Sequence, residues 1–507
     1  STNQPLTSHG THIAWVDFLR ILACFLVVVA HCCDPFVGSF DGTFNFKSAV
    51  FWGSLVRPCV PLFAMISGVL LFPVTMEMGA FYSKRLKRVL IPLVVWSLVL
   101  PLLYFGYFAA GVHTASPNIV MDNYTWSATV GKLYTFLFNF NYDTTPLWYV
   151  YMLVGLYLFM PIMSAWLTQA KRKDVKIFLG IWVFSMTLPY LQMLAPALGY
   201  EGNYGNMGIL GVCDWNPYGM FYNFAGFLGY MVLAHYLAKY PLAWSWKKML
   251  AITVPLFLVG FAVTFFGFLE TQKHFPGQYS KLEVLWYFSG INVFLMTFAI
   301  FAIVSRLRIK PSPVLGKVAA LTFGVYLCHF FFVQCSYDFV NFIGMGGLPA
   351  AVKIPLLACL ASAVSLALVW LLSLKGGRAK ALCKPRIFSA GRFGTTAVPG
   401  RLFFCGKENK AVSGEGPAKF WTGKREQARI FLHRAQALVA GDVGFLTHEK
   451  RVSRSPFRQP QAHRKFPGDR RLLQVIGKWI LTKESPLIGP DRIRLPHQVG
   501  ANPLLRP

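Results

Sequence analysis

Arg20 and His31 stand eleven positions apart in WVDFLRILACFLVVVAH, inside the first long apolar run of the chain. On an α-helix that spacing puts the two side chains about 20° apart around the axis and roughly 16 Å apart along it. One face of a lipid-spanning helix would carry a guanidinium near its start and an imidazole deep within. Ionisable groups in hydrocarbon are costly unless they meet a partner or a polar cavity, so a chain that keeps two on one face is expected to use them. Asp17 falls on the same stripe. An unpaired buried imidazole favours its neutral form, the state a general base needs. The competing assignment is a structural His31, hydrogen-bonded inside a bundle.

Further along, RPCVPLFAMISGVLLFP holds Pro58 and Pro61, expected to strain the early turns of a span, and a Ser67–Gly68 step that lets another backbone approach. In YSKRLKRVLIP, Arg85 and Arg88 are one helical turn apart beside Lys84 and Lys87. Arginine forks bind phosphates bidentately, so this pair suits a nucleotide-linked donor, although any basic membrane loop has the same look. Trp148 and Tyr149 open PLWYVYMLVGLYLFMP, where an interfacial aromatic belt is the plainer explanation. Tyr326 and His329 lie three apart in LTFGVYLCHFFFV, again on one helix face. Ser67 and Tyr326 are candidate oxyanion donors. The ten cysteines form no CxxC or His/Cys ligand set and are expected to pack as small hydrophobes, and no metal is expected. There is no G-x-S-x-G, Walker loop, H-E-x-x-H or G-x-G-x-x-G, which removes support for serine-hydrolase, ATPase, zinc-protease and Rossmann chemistry.

The elements that must position these residues are membrane helices. The 507-residue chain is 55% hydrophobic and only 14% charged, against about 25% charged for a soluble protein. The expected fold is all-α, a polytopic bundle of ten helices at about 14–33, 51–72, 89–110, 147–168, 177–198, 218–238, 249–269, 285–305, 317–337 and 353–374. The apolar run at 317–337 is interrupted by polar residues, and the first span is expected to be retained instead of cleaved as a signal peptide. With the N-terminus cytosolic, alternate loops hold fifteen Lys and Arg and the opposite loops hold four. Miscounting by one span would scramble that asymmetry. Both ends of the membrane domain are then expected in the cytosol.

The net charge of +29 is uneven: +11 up to Lys375 and +18 after it. The chain is therefore divided into a membrane domain, 1–375, and a basic tail, 376–507, expected to be disordered or aberrant and assigned no function. The tail's basicity would suit anionic lipid, and no nucleic-acid partner is expected. The long outer loops carry Asn123, Tyr124, Trp126, Tyr134, Asn139, Asn141 and Tyr142, and then GYEGNYGNMGILGVCDWNP. Aromatic faces beside amide and acid side chains suit sugars, though ordinary interfacial loops share this composition.

Taken together, these segments resemble the acyltransferase-3 family of bacterial integral-membrane O-acyltransferases. WVDFLRILACFLVVVAH, RPCVPLFAMISGVLL, YSKRLKRVLIP, PLWYVYMLVGLY, MFYNFAGFLGYMV and LTFGVYLCH come in the family's order between about residues 12 and 374. They look closest to the branch that O-acetylates surface glycans, of which the enterobacterial common antigen enzyme is an example. The resemblance implies an acyl-CoA donor, acetyl-CoA first of all, on the cytosolic side of a bacterial inner membrane, and a glycan acceptor on the other side. It implies that His31 is the catalytic histidine with Arg20 as its motif partner, and that Arg85 and Arg88 meet the donor's phosphates. Trp148, Tyr149, Tyr326 and His329 match pattern positions on the substrate side. The chain shows no extracytoplasmic esterase domain of the kind longer relatives carry. The reading from residues alone leaves a second class open, a secondary transporter or exporter of a glycan or polar solute, though no internal repeat is evident. The sharpest expectation is that His31 and Arg20 share one wet crevice reachable from the cytosol.

Overall fold

The computed structural model describes residues 13–374 other than 39, 139, 201–207 and 214–215; the tail assigned above lies outside the described residues. Among the described residues the chain is helical, with no strand beyond one isolated bridge between Cys213 and Asn216. The helices are α1 (Ala14–Cys32), α2 (Asp34–Val37), α3 (Phe44–Leu55), α4 (Cys59–Leu71), α5 (Met78–Ala109), α6 (Trp126–Tyr134), α7 (Trp148–Gln169), α8 (Arg172–Ser185) and α9 (Leu188–Leu194), followed by α10 (Leu228–Lys239), α11 (Trp246–His274), α12 (Tyr279–Trp286), α13 (Ile291–Val304), α14 (Pro313–Val340) and α15 (Ala350–Leu374).

Local sequence accounts for many of the ends. Thr43 and Ser245 start α3 and α11 by accepting from the amides of Phe46 and Lys248. Ser312 caps α14 with Pro313 as its first residue, a place where proline's missing N–H costs nothing. Pro61 lies in the first turn of α4, where the amide has no intrahelical partner, so the expected strain does not arise there. The polar residues that interrupt the apolar run at 317–337 are carried within a continuous α14, because they bond locally. The Thr322 hydroxyl donates to Ala319 O, and Gln334 donates to Asp338.

Among the described residues, nine helical stretches are long and apolar enough to cross a bilayer. The expected crossing at 218–238 falls short: a 3₁₀ turn at Gly219–Phe221 precedes α10, which has only twelve residues. The chain still crosses the bundle there. Arg172, at the start of α8, donates to the Tyr236 hydroxyl at 3.1 Å and lies 4.8 Å over the Tyr240 ring, so α10 ends where α8 began. The helices α1 and α14 give the same count. Cys24 Sγ donates to Thr322 O at 3.5 Å, and the His31 and His329 rings lie 5.3 Å apart. Both contacts are seven residues on along each helix, so α1 and α14 run parallel. That requires α14 to be an odd-numbered crossing, the ninth when α10 is counted and the eighth when it is not.

The main core gathers α1, α4, α5, α7, α8, α10 and α14 around Leu19, Leu62, Met65, Met160, Trp182 and Met231. Close approach is built in at Gly68, where a Cβ would fall 2.2 Å from Met231 O. With 32 residues, α5 is about 48 Å long, well beyond the ~30 Å hydrocarbon core. Its first turns, which carry Lys84 to Arg88, therefore have length to project past the lipid.

Candidate functional site

The α1 stripe divides between two ends of the bundle. Near its start, Arg20 Nη1 donates to Asp17 Oδ1 at 3.2 Å, and both side chains are buried. Arg20 lies in the electrostatic field of Tyr157 on α7, which also feels Arg85. Arg85 in turn feels Arg88. On α5 the two arginines are half-buried, whereas Lys84 and Lys87 are exposed. The spacing of three residues turns the arginine forks inward and the lysines outward. The result is a cationic group made from α1 and α5 at one end.

His31 sits at the other end, in the last turn of α1. Its Nδ1 is 2.8 Å from Asp34 Oδ2, and Asp34 opens the short α2 with Pro35 behind it. An ionised carboxylate only accepts, so this partner makes Nδ1 the donor, and in the neutral ring Nε2 keeps the lone pair. Asp34 was missed in the sequence, although HCCDP displays a histidine and an acid three apart beside a helix-ending proline. His31 and Arg20 take different local partners at the two ends of the stripe. Each has its own carboxylate, Asp34 for one and Asp17 for the other, and about 16 Å of helix separates them.

Around His31 the structure brings together most of the other expected residues. His329 is buried on α14, its Nδ1 donating to Tyr326 O at 2.6 Å. Ring contacts continue from His31 to His329 at 5.3 Å, to Tyr326 at 5.6 Å, to Tyr149 at 5.6 Å and to Trp148 at 6.3 Å. Phe330 closes on the His31 edge at 5.0 Å and meets Tyr142 at 5.0 Å. The Tyr326 hydroxyl donates to Pro146 O, which ties α14 to the turn before α7. Ser67 stands apart from this run: its hydroxyl donates to Phe63 O of its own helix at 3.0 Å.

The loop before α7 is pinned by a buried ionic group. Asp143 accepts from the Tyr124 hydroxyl at 2.9 Å and from Lys132 Nζ at 2.7 Å. Burial, then the adjacent Asp143 carboxylate, push the Tyr124 phenol well above its usual range, so it remains a donor. The outer-loop aromatics therefore separate into a buried Tyr124 and exposed Trp126 and Tyr134. Asn139 and residues 201–207 and 214–215 of the second loop lie outside the described residues. Six of the eight described cysteines are buried, as expected of small hydrophobes.

Among the described residues, a helical bundle long and apolar enough to cross a membrane many times carries a histidine–carboxylate pair at one end and half-buried arginines at the other, which defines a polytopic membrane protein. The acyltransferase domain family, Acyl_transf_3, matches residues 13–374, and the chain belongs to that family of membrane acyltransferases. Comparison with the curated proteins and with the solved structures gave no match.

Proposed function

We propose that this chain transfers an acetyl group from acetyl-CoA, met at the arginine-bearing end, to a hydroxyl of a glycan met at the His31 end. The observation that carries this reading is the His31–Asp34 pair at 2.8 Å, set at the far end of α1 from Arg20, Arg85 and Arg88. The Lys/Arg asymmetry puts the arginine end in the cytosol, where acyl-CoA is made, and the natural setting is a bacterial inner membrane. Arg85 and Arg88 supply forks for the donor's phosphates. Aromatic rings around Trp148 and Tyr149 supply faces for sugar C–H groups. The catalytic unit is placed within the matched span, and residues 376–507 are assigned no part in it.

In this mechanism His31 Nε2 takes the proton of the acceptor hydroxyl as its oxygen attacks the thioester carbonyl. Asp34 holds the ring in orientation and stabilises the imidazolium. Collapse of the tetrahedral intermediate breaks the C–S bond, and the thiolate leaves with the proton that His31 held. One ester and one thiol form, and the histidine returns to its neutral state.

The test uses purified protein in liposomes with radiolabelled acetyl-CoA and a surface-glycan extract. The wild type is expected to yield labelled glycan. His31→Ala is expected to lose transfer by about 10²- to 10⁴-fold while still binding CoA. Full transfer by a well-folded His31→Ala protein refutes the assignment. Glycan flux across the vesicle wall without any acyl donor would favour the transporter class instead.

A further inference from the structure

Arg57 lies in the turn between α3 and α4 and is not used by the mechanism above. Its Nε donates to Gly53 O at 3.1 Å, which fixes the root of the guanidinium. Its plane covers Trp286, with the guanidinium carbon 3.9 Å from the ring centroid and 5.4 Å from that of Phe288. Trp286 is itself fixed, donating from Nε1 to Ser54 Oγ at 3.0 Å and pressed against Gly53, where a Cβ would fall 2.6 Å from the indole. Phe288 passes the aromatic surface on to Trp148, stacked at 5.5 Å and 21°. Arg57, Phe288 and Trp148 are all half-buried. Among the described residues no acceptor is bonded to the outer edge of the guanidinium. Glu283, one turn before Trp286 on α12, lies in the field of Arg57 but forms no ion pair with it. Arg57 also lies in the field of Cys33, the residue next to Asp34, so this shelf borders the transfer pair.

An immobilised guanidinium with its outer edge free is pre-organised for a planar anion. The half-buried Phe288 and Trp148 rings offer an apolar edge to a pyranose, while Trp286, buried between Arg57 and Phe268, serves as the support that holds the guanidinium. Resting on the acyl-transfer reading, we infer that Arg57, Trp286, Phe288 and Trp148 form an acceptor subsite for a sugar bearing an anionic group, either a uronic-acid carboxylate or a sugar phosphate. Glu283 tunes the subsite by competing for the same guanidinium.

The experiment is a binding measurement on the full chain in nanodiscs, without acyl-CoA, by saturation-transfer NMR. The probes are methyl glucuronide, methyl glucoside and glucose 6-phosphate. The wild type is expected to bind methyl glucuronide or glucose 6-phosphate about 10- to 100-fold tighter than methyl glucoside, the range of a charge-assisted hydrogen bond. Whichever anion is preferred names the source. Arg57→Gln should abolish the preference, Arg57→Lys should keep part of it, and Glu283→Gln should sharpen it. Equal binding of all three probes by the wild type overturns the subsite, as does an Arg57→Gln protein that keeps the preference. Should Arg57→Gln fail to fold, the wild-type ranking and the Glu283→Gln response decide alone. Because no donor is present, failure here is separable from failure of acyl transfer.

Discussion

Asp34→Asn is the most discriminating change to the transfer pair. The amide can still present an oxygen to His31 Nδ1, so ring orientation and tautomer survive while the negative charge is lost. A hydrogen bond to a charged group contributes about 1.5–3 kcal/mol. The His31 and Asp34 side chains are 20% and 36% exposed, so water screens part of the charge and the lower half of that range applies. At about 1.4 kcal/mol per tenfold in rate, Asp34→Asn should lower kcat about 10- to 30-fold with donor KM unchanged. Asp34→Ala removes the orienting acceptor as well and should cost more, about 10²-fold. The assay is initial-rate transfer from radiolabelled acetyl-CoA in proteoliposomes, with CoA affinity measured separately. Full kcat in Asp34→Asn would refute the role of the carboxylate. A loss as deep as that of His31→Ala would refute the argument that charge alone separates Asp from Asn.

At the opposite end, Arg85→Ala with Arg88→Ala should raise donor KM about 10- to 100-fold and leave kcat nearly unchanged, since each arginine is a charged hydrogen-bond partner. The outward-facing pair Lys84→Ala with Lys87→Ala should change KM less than about threefold, and equal effects from both pairs would count against the inward fork. Gly68→Ala should destabilise the packing of α4 on α10 by about 1–3 kcal/mol, because its Cβ meets Met231 O at 2.2 Å. Gly155→Ala, with open space around it, should leave the melting temperature of the detergent-solubilised protein in place.

Much of this arrangement was legible in the chain because lipid-spanning helices announce themselves by length and apolarity. α1, α7, α11, α14 and α15 fall close to their expected places for that reason. The start of α5 was placed too late, because hydropathy discards the basic turns that are helical but lie beyond the lipid. The stretch 218–227 reads as apolar yet holds only a 3₁₀ turn and no α-helix. Gly219 and Gly226 take positive φ there, +48° and +90°, and aromatic residues fill the turns between them. The inward and outward sorting of Arg85 and Arg88 from Lys84 and Lys87 needed the direction of α5, which composition does not carry. Asp34 escaped because the search followed one helix face, whereas the acid lies past the helix end. The separation of Arg20 from His31 follows from the same geometry that suggested their union: eleven residues align two side chains and also hold them two helix-ends apart.

That separation bears on how protons move. On α1, the buried stripe between Arg20 and His31 is Cys24, Val27 and Val28. The Cys24 thiol is engaged with Thr322 O. No carboxylate, histidine or lysine lies on that stripe to pass a proton from one end to the other, as a proton-coupled transporter needs. Acyl transfer needs none: the proton His31 takes from the acceptor departs on the thiol. Turnover in proteoliposomes should therefore be unaffected by an ionophore that collapses an imposed proton gradient. If the ionophore stopped transfer while acetyl-CoA stayed saturating, proton movement along the bundle would be part of the cycle, and the division into a donor-binding end and a proton-transferring end would fail.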